Sequence, residues 1–137
     1  VIHGANASPK SFNYILENTN LTDVTKVRYF SGDGFYNNLE KLKIQLQDIG
    51  PCFIIAHSLG GIYTLHLLEH INIVGVVSIA TPFGGSMTAD WVKYKSMTHR
   101  NDMQFKEIAY NHYEIMNAPE VVHTVNKKLK SKFIYFS

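Results

Sequence analysis

The stretch around Ser58 most restricts the folds open to this chain. The run Cys52–Ala56 is continuously apolar and predicts a buried strand, and Leu59–His70 predicts a helix. The strand run ends in alanine two positions before the serine, and Gly60 stands two positions after it. A very sharp strand-to-helix turn requires small residues at those two places. The stretch therefore predicts a strand, a tight turn that presents the serine oxygen, and a helix.

Strand-like and helix-like segments alternate along the chain. Helices are predicted for Pro9 to Glu17, with Ser8 as cap, and for the apolar pattern from Leu39 to Ile49, which ends at Gly50-Pro51. Strands are predicted for Val1–His3, Val24–Phe30, Ile73–Ile79 and Tyr94–Thr98. The alternation predicts an α/β fold, a three-layer sandwich with a mostly parallel central sheet and right-handed crossovers. Sites in such sheets lie beyond the carboxyl ends of the strands.

Composition limits the possible classes of protein. The 137 residues, 45% apolar, suit one domain spanning residues 1–137. A net charge of +2 is too small to suggest a nucleic-acid partner, and the lysines near residue 130 are expected on a solvated helix face. No apolar run is long enough to predict membrane insertion. Without a signal peptide, the expected location is cytoplasmic. The single cysteine, Cys52, excludes an internal disulfide.

Four segments resemble the α/β-hydrolases, nearest the lipase and esterase branch. Val1-Ile2-His3-Gly4 is similar to the His-Gly of the family's oxyanion loop, and Ala56-His57-Ser58-Leu59-Gly60-Gly61 is similar to the nucleophile elbow. Ala80-Thr81-Pro82-Phe83-Gly84-Gly85-Ser86 is similar to a loop of many lipases. His112 to Val121 is similar to the family's late histidine and following helix. The resemblance implies hydrolysis of a small-molecule or lipid ester, without a cofactor.

Serine chemistry requires several partners around Ser58. A histidine must accept the hydroxyl proton and later pass it to the leaving group. A carboxylate must hold that imidazole, and two N–H groups must stabilise the oxyanion. The predicted donors are the amides of Leu59 and Ala5, with Asn6 as the alternative to Ala5.

The family order of serine, acid and histidine places the partners after Ser58. His112 is the predicted base because it precedes a helix that Pro119 can start, and His99 is the alternative. The other histidines are expected to do other things: His57 to point away from the serine, His3 to support the oxyanion loop, and His66, His70 and His123 to lie along helices.

The predicted acid is Asp102, which follows a possible short strand. Only nine residues separate Asp102 from His112, too few for the usual helix and full strand, so Asp90, Glu107 and Glu114 stay open.

The resemblance to α/β-hydrolases implies about eight strands, more than this chain offers. Five or six strands can be placed, and the opening strands are absent, so a compact or truncated α/β-hydrolase fold is expected. Residues 86–94 leave room for a short cap with Met87 and Trp91. These two residues and Gly4 are the predicted substrate-binding residues, although Met87 and Trp91 also suit a core. A small cap implies an open site and a modest acyl group.

Three other functions stay open beside a carboxylic ester hydrolase acting through an acyl-enzyme. One is a non-catalytic binding domain with this fold. Another is an acyltransferase that uses the same serine. The third is a zinc hydrolase, because His66-Leu67-Leu68-Glu69-His70 matches H-x-x-E-H. Its third ligand would have to come from Glu107, Glu114 or Glu120.

Overall fold

A computed structural model describes residues 1–82, 103–127 and 133–137. The described strands are Cys52–His57 (β1), Ile73–Ile79 (β2), Met103–Lys106 (β3) and Phe133–Phe136 (β4). They form one sheet in the order β1-β2-β4-β3, with every neighbouring pair parallel. The described α-helices are Asn13–Glu17 (α1), Phe35–Leu46 (α2), Leu59–Leu67 (α3) and Pro119–Asn126 (α4). Short 3₁₀ turns cover Pro9–Phe12, Ser31–Asp33 and Glu114–Asn117. The predicted α/β fold with a parallel sheet is confirmed.

Helices cover both faces of the sheet, and each face has its own apolar core. On one face, α2 and α3 pack on alternate strand residues such as Ile54 and Val76. On the other, the segment 9–17 and the region from residue 115 to α4 pack on Ile55, Val77 and Ile134. Successive strand residues point to opposite faces, so both cores draw on the same strands. None of the helices in the described ranges is long and apolar enough to cross a bilayer.

The first residues of the chain lie beside β1. Ile2 forms a single parallel bridge with Ala56, in which its N–H donates to Ile55 O at 3.0 Å and its carbonyl accepts from His57 N at 3.1 Å. The predicted strand at Val1–His3 is therefore reduced to one bridge. That bridge carries the following loop, which begins at Gly4, to the carboxyl end of β1.

The predicted strand at Val24–Phe30 is wrong, because this segment has no regular structure. Gln45 of α2 uses its side-chain amide to bind both main-chain groups of Arg28, at 2.9 and 2.8 Å. The segment buries Val27 and satisfies part of its backbone through side chains instead of a neighbouring strand. The helix expected to reach His70 ends at Leu67.

Strand β4 was not predicted from the sequence. Its four apolar residues lie between β2 and β3, and Phe133, Ile134 and Phe136 are buried. Such a short run carries little periodicity, and its burial comes from neighbours distant in the chain.

Candidate active site

Ser58 stands at the junction of β1 and α3 in a strained backbone conformation. Its φ and ψ are 53° and −121°. A non-glycine residue held in such a sparsely populated region costs roughly 1–3 kcal/mol, and such residues cluster at functional sites. The amide of Ser58 donates to Ile79 O at 2.8 Å, which secures the turn to β2. Its side chain is buried but lines a cavity, and its hydroxyl makes no hydrogen bond within the described residues.

The small residues after Ser58 are required by close approach of other elements. A Cβ on Gly60 would overlap the carbonyl oxygen of Ile2, and one on Gly61 would overlap Thr81 Oγ1. Gly4 meets the turn from the other side, where a Cβ would lie 3.2 Å from the Cβ of Ser58. The first turn of α3 therefore fits directly against the segment that leads to the Gly4 loop.

Two backbone amides, those of Leu59 and Ala5, have no hydrogen-bond partner among the described residues. Leu59 opens α3, where an N–H has no intrahelical acceptor. The amide of Ala5 makes no hydrogen bond to any described residue. The amide of Asn6, the alternative donor, instead donates to Ser31 Oγ at 2.8 Å. Within residues 1–82, 103–127 and 133–137, the amides of Leu59 and Ala5 are therefore not engaged, whereas that of Asn6 is.

His3 supports the loop that carries Ala5. Its Nδ1–H donates to Gly4 O at 2.8 Å, and its ring stacks on Tyr29 at 4.2 Å between centroids and 6° between planes. The Tyr29 hydroxyl donates to His3 O at 2.8 Å. Burial lowers the pKa of His3. These contacts match the supporting position expected for His3.

A cavity of about 440 Å³ lies at this edge of the sheet. Ser58, Gly4, Ala5 and His112 all line it, so the residues predicted as nucleophile and base open onto one space. The described lining residues are Gly4, Ala5, Asn6, Ala7, Lys10, Ser11, His57, Ser58, His112, Tyr113, Met116 and Asn117. None of them is a carboxylate. No hydrogen bond joins His112 to Ser58 in the described part of the chain, and catalytic hydrogen bonds are often long before substrate binds.

His57 is the site residue whose contacts sequence reasoning missed. It lines the same cavity as Ser58, and its Nε2–H donates to the main-chain oxygen of His112 at 3.0 Å. The two imidazole rings lie 4.8 Å apart. Burial is the main cause that lowers the pKa of His57 to about 4, with the nearby His112 a smaller one. The only signal in the sequence is a histidine that ends a buried strand at the site edge.

Several predicted residues lie outside the described part of the chain. They are Met87, Asp90, Trp91, His99 and Asp102, together with the loop residues 83–86, the cap at 86–94 and the strand at 94–98. Thr81, which precedes them, is buried, and its Oγ1 lies 2.6 Å from Ser78 Oγ.

The register of the sheet shows where one candidate for the carboxylate that would orient His112 lies. Lys106, the last residue of β3, is level with His57, whereas Met103 is level with Ile54. Glu107, one of the alternatives to Asp102, therefore follows β3 at the same end of the sheet at which Ser58 follows β1. Strands β2 and β4 lie between β1 and β3, and Glu107 is not among the residues that line the cavity.

The H-x-x-E-H segment lies at the far end of α3. His66 is partly buried with its ring edge-on to Phe35, 5.2 Å between centroids, and Glu69 and His70 are exposed. Across residues 1–82, 103–127 and 133–137, no three His, Cys, Asp or Glu side chains are grouped so that they could hold a metal ion.

No known protein family, curated protein or solved structure matches this chain. Its function must therefore be inferred from its own residues and their arrangement.

Proposed function

We propose that this protein is a serine hydrolase of the α/β-hydrolase type that cleaves carboxylic esters through an acyl-enzyme. The observation that carries the proposal is the strained Ser58 between β1 and α3, which opens onto one cavity with Ala5 and His112. The amides of Leu59 and Ala5 have no hydrogen-bond partner among the described residues. Backbone strain persists only where the surrounding structure enforces it. A free amide such as that of Leu59 is ordinary at the start of a helix, so the strain at Ser58 is what sets this turn apart from an ordinary strand-to-helix turn.

In the proposed reaction, Ser58 Oγ attacks the ester carbonyl carbon while His112 takes the hydroxyl proton. The amides of Leu59 and Ala5 bind the negative charge that develops on the carbonyl oxygen. His112 then gives the proton to the departing alcohol, which leaves the acyl group on Ser58. Water, deprotonated by His112, attacks the acyl-enzyme and releases the carboxylic acid.

A carboxylate must orient His112 in this scheme. Asp102 is the acid predicted from the sequence, and Glu107 is an alternative that follows β3 at the same end of the sheet as Ser58. Parallel substitutions Asp102→Asn and Glu107→Gln identify the acid, because loss of the orienting carboxylate lowers kcat by on the order of 10⁴-fold.

Labelling with a fluorophosphonate probe tests the proposal, since such a probe reacts with an activated serine. We expect the wild-type protein to be labelled, Ser58→Ala to be unlabelled, and His112→Ala to be labelled far more slowly. Ser11→Ala is the matched control, because Ser11 lines the same cavity but donates its hydroxyl to Ser8 O at 2.9 Å. This variant should be labelled at the wild-type rate.

A folded wild-type protein that resists the probe would refute the proposal and favour a non-catalytic binding domain. If the labelling pattern is as expected, p-nitrophenyl esters of increasing acyl length define the substrate class. Added alcohol acceptors then separate hydrolysis from acyl transfer.

A further inference from the structure

His57 connects two parts of the site that are 55 residues apart in the chain. It is the last residue of β1, adjacent to Ser58, and only 3% of it is exposed. Its ring reaches across the cavity edge to the main chain of His112, where Nε2 lies 3.0 Å from the carbonyl oxygen. One side chain thus connects the turn that carries the serine with the turn that carries the predicted base.

The turn that carries His112 has otherwise local hydrogen bonds. Asn111 Oδ1 accepts from the amides of Tyr113 and Glu114 at 3.0 and 2.7 Å, and Asn111 O accepts from Ile115 N at 3.1 Å. Residues 111–114 are all exposed. In the described part of the chain, the hydrogen bond from His57 is the only one that ties these four residues to another element. The adjacent Ile115 and Met116 are buried in the core on the sheet and anchor the end of the turn. The hydrogen bond from His57 adds a direct link between residue 112 itself and the turn of Ser58.

The direction of this hydrogen bond defines the tautomer of His57. A carbonyl oxygen only accepts, so Nε2 must carry the proton and, in the neutral ring, Nδ1 has none. Nδ1 is buried without a hydrogen-bond partner among the described residues. A Cβ on Gly4 would lie 3.3 Å from it, so the ring is held between the Gly4 loop and the His112 turn. Among the described residues, Nε2 is therefore the ring nitrogen through which His57 makes a hydrogen bond.

We propose that His57 is a positioning residue for His112. Its Nε2–H holds the main chain of the His112 turn at the carboxyl edge of the sheet and so sets where the imidazole meets Ser58. The inference rests on the proposed function, in which His112 is the base. His57 itself does not accept the serine proton in this scheme, since its Nε2–H is engaged by the main chain of His112.

A double-mutant cycle tests this role with p-nitrophenyl acetate. We expect His57→Leu to lower kcat by about tenfold, the effect of losing one buried hydrogen bond, with KM nearly unchanged. His57→Gln should retain most of kcat, because its amide N–H stands where Nε2–H stood, whereas the shorter His57→Asn should behave like the leucine variant. In a His112→Ala background, His57→Leu should have no further effect.

Hydrogen exchange gives a readout that does not depend on activity. The amides of Tyr113, Glu114 and Ile115 should exchange faster in His57→Leu and His57→Asn than in the wild type, and His57→Gln should restore their protection. If the wild-type protein is inactive, the proposed function fails, and exchange alone still decides whether His57 holds the turn.

The inference is overturned if folded His57→Asn matches the wild type in both kcat and exchange. It is also overturned if His57→Leu keeps its full effect when His112 is already alanine, since His57 would then act by another route. Should His57→Leu fail to fold, the comparison of asparagine with glutamine at this position replaces it.

Discussion

Replacing Gly60 with alanine probes how closely α3 approaches the first residues of the chain. The added Cβ would overlap the carbonyl oxygen of Ile2 and lie 2.7 Å from that of His3. Both neighbours are backbone atoms, so no side-chain rotation can relieve the overlap. We expect the Ile2 segment to be displaced from β1.

The cost follows from the contacts that this segment makes. Displacement breaks the two hydrogen bonds between Ile2 and β1, each contributing about 1 kcal/mol. It also exposes the side chain of Ile2, now 2% exposed; burying such a side chain contributes about 1.5–3 kcal/mol. Alanine's higher helix propensity offsets about 1 kcal/mol of the loss. The free energy of unfolding should therefore fall by about 3 kcal/mol, most of it from Ile2.

Urea unfolding followed by circular dichroism measures this change, with an unaltered slope showing that the denatured state is comparable. Gly32→Ala is the matched control. Its Cβ would meet the ring of Phe30, but that ring is 70% exposed and can swing away. The control should stay within about 0.5 kcal/mol of the wild type. A Gly60→Ala protein as stable as the control would refute the close approach of α3 to Ile2.

Two further predictions concern buried polar groups. Because burial lowers the pKa of His57 from 6.5 to about 4, the unfolded chain takes up this proton first, so the free energy of unfolding should fall as the pH drops through that interval. In His57→Gln, the free energy of unfolding should depend less on pH between 6.5 and 4. If the wild type and this variant showed the same pH dependence, the lowered pKa of His57 would be contradicted. Ser78→Ala should cost about 1–3 kcal/mol because it leaves Thr81 Oγ1 buried without its partner. Thr81→Val should lower the free energy of unfolding by a similar amount, and the double variant should lose less than the sum of the two single losses. If the single losses, measured by urea unfolding, summed to the loss in the double variant, the two hydroxyls would not interact.

The elements that the sequence determined are those whose signals lie within a few residues. The apolar runs of β1 and β2 match strands at Cys52–His57 and Ile73–Ile79, and α4 begins at Pro119 as predicted. Proline at a first helical position and a continuous apolar run act through local backbone geometry and burial. The small residues around Ser58 likewise predicted a sharp turn, and its positive φ is the local conformation that they permit.

Local signals failed where distant residues supply the partners. Val24–Phe30 has strand-like composition, but the amide of Gln45 binds the main chain of Arg28 where a neighbouring strand would otherwise bind. Strand β4 is too short to be recognised alone, and its place between β2 and β3 follows from pairing along the sheet.

Within the site, the sequence determined which residue types were available: a serine in a tight turn, a small-residue loop and a late histidine. Only the tertiary structure decided that the Asn6 amide is bound by Ser31, 25 residues away, and that His57 reaches the main chain of His112. Strands and turns can be predicted from residues that are neighbours in the sequence. Hydrogen bonds between distant residues exist only after the sheet and its two helical layers have packed, because packing alone brings those donors within reach of their acceptors.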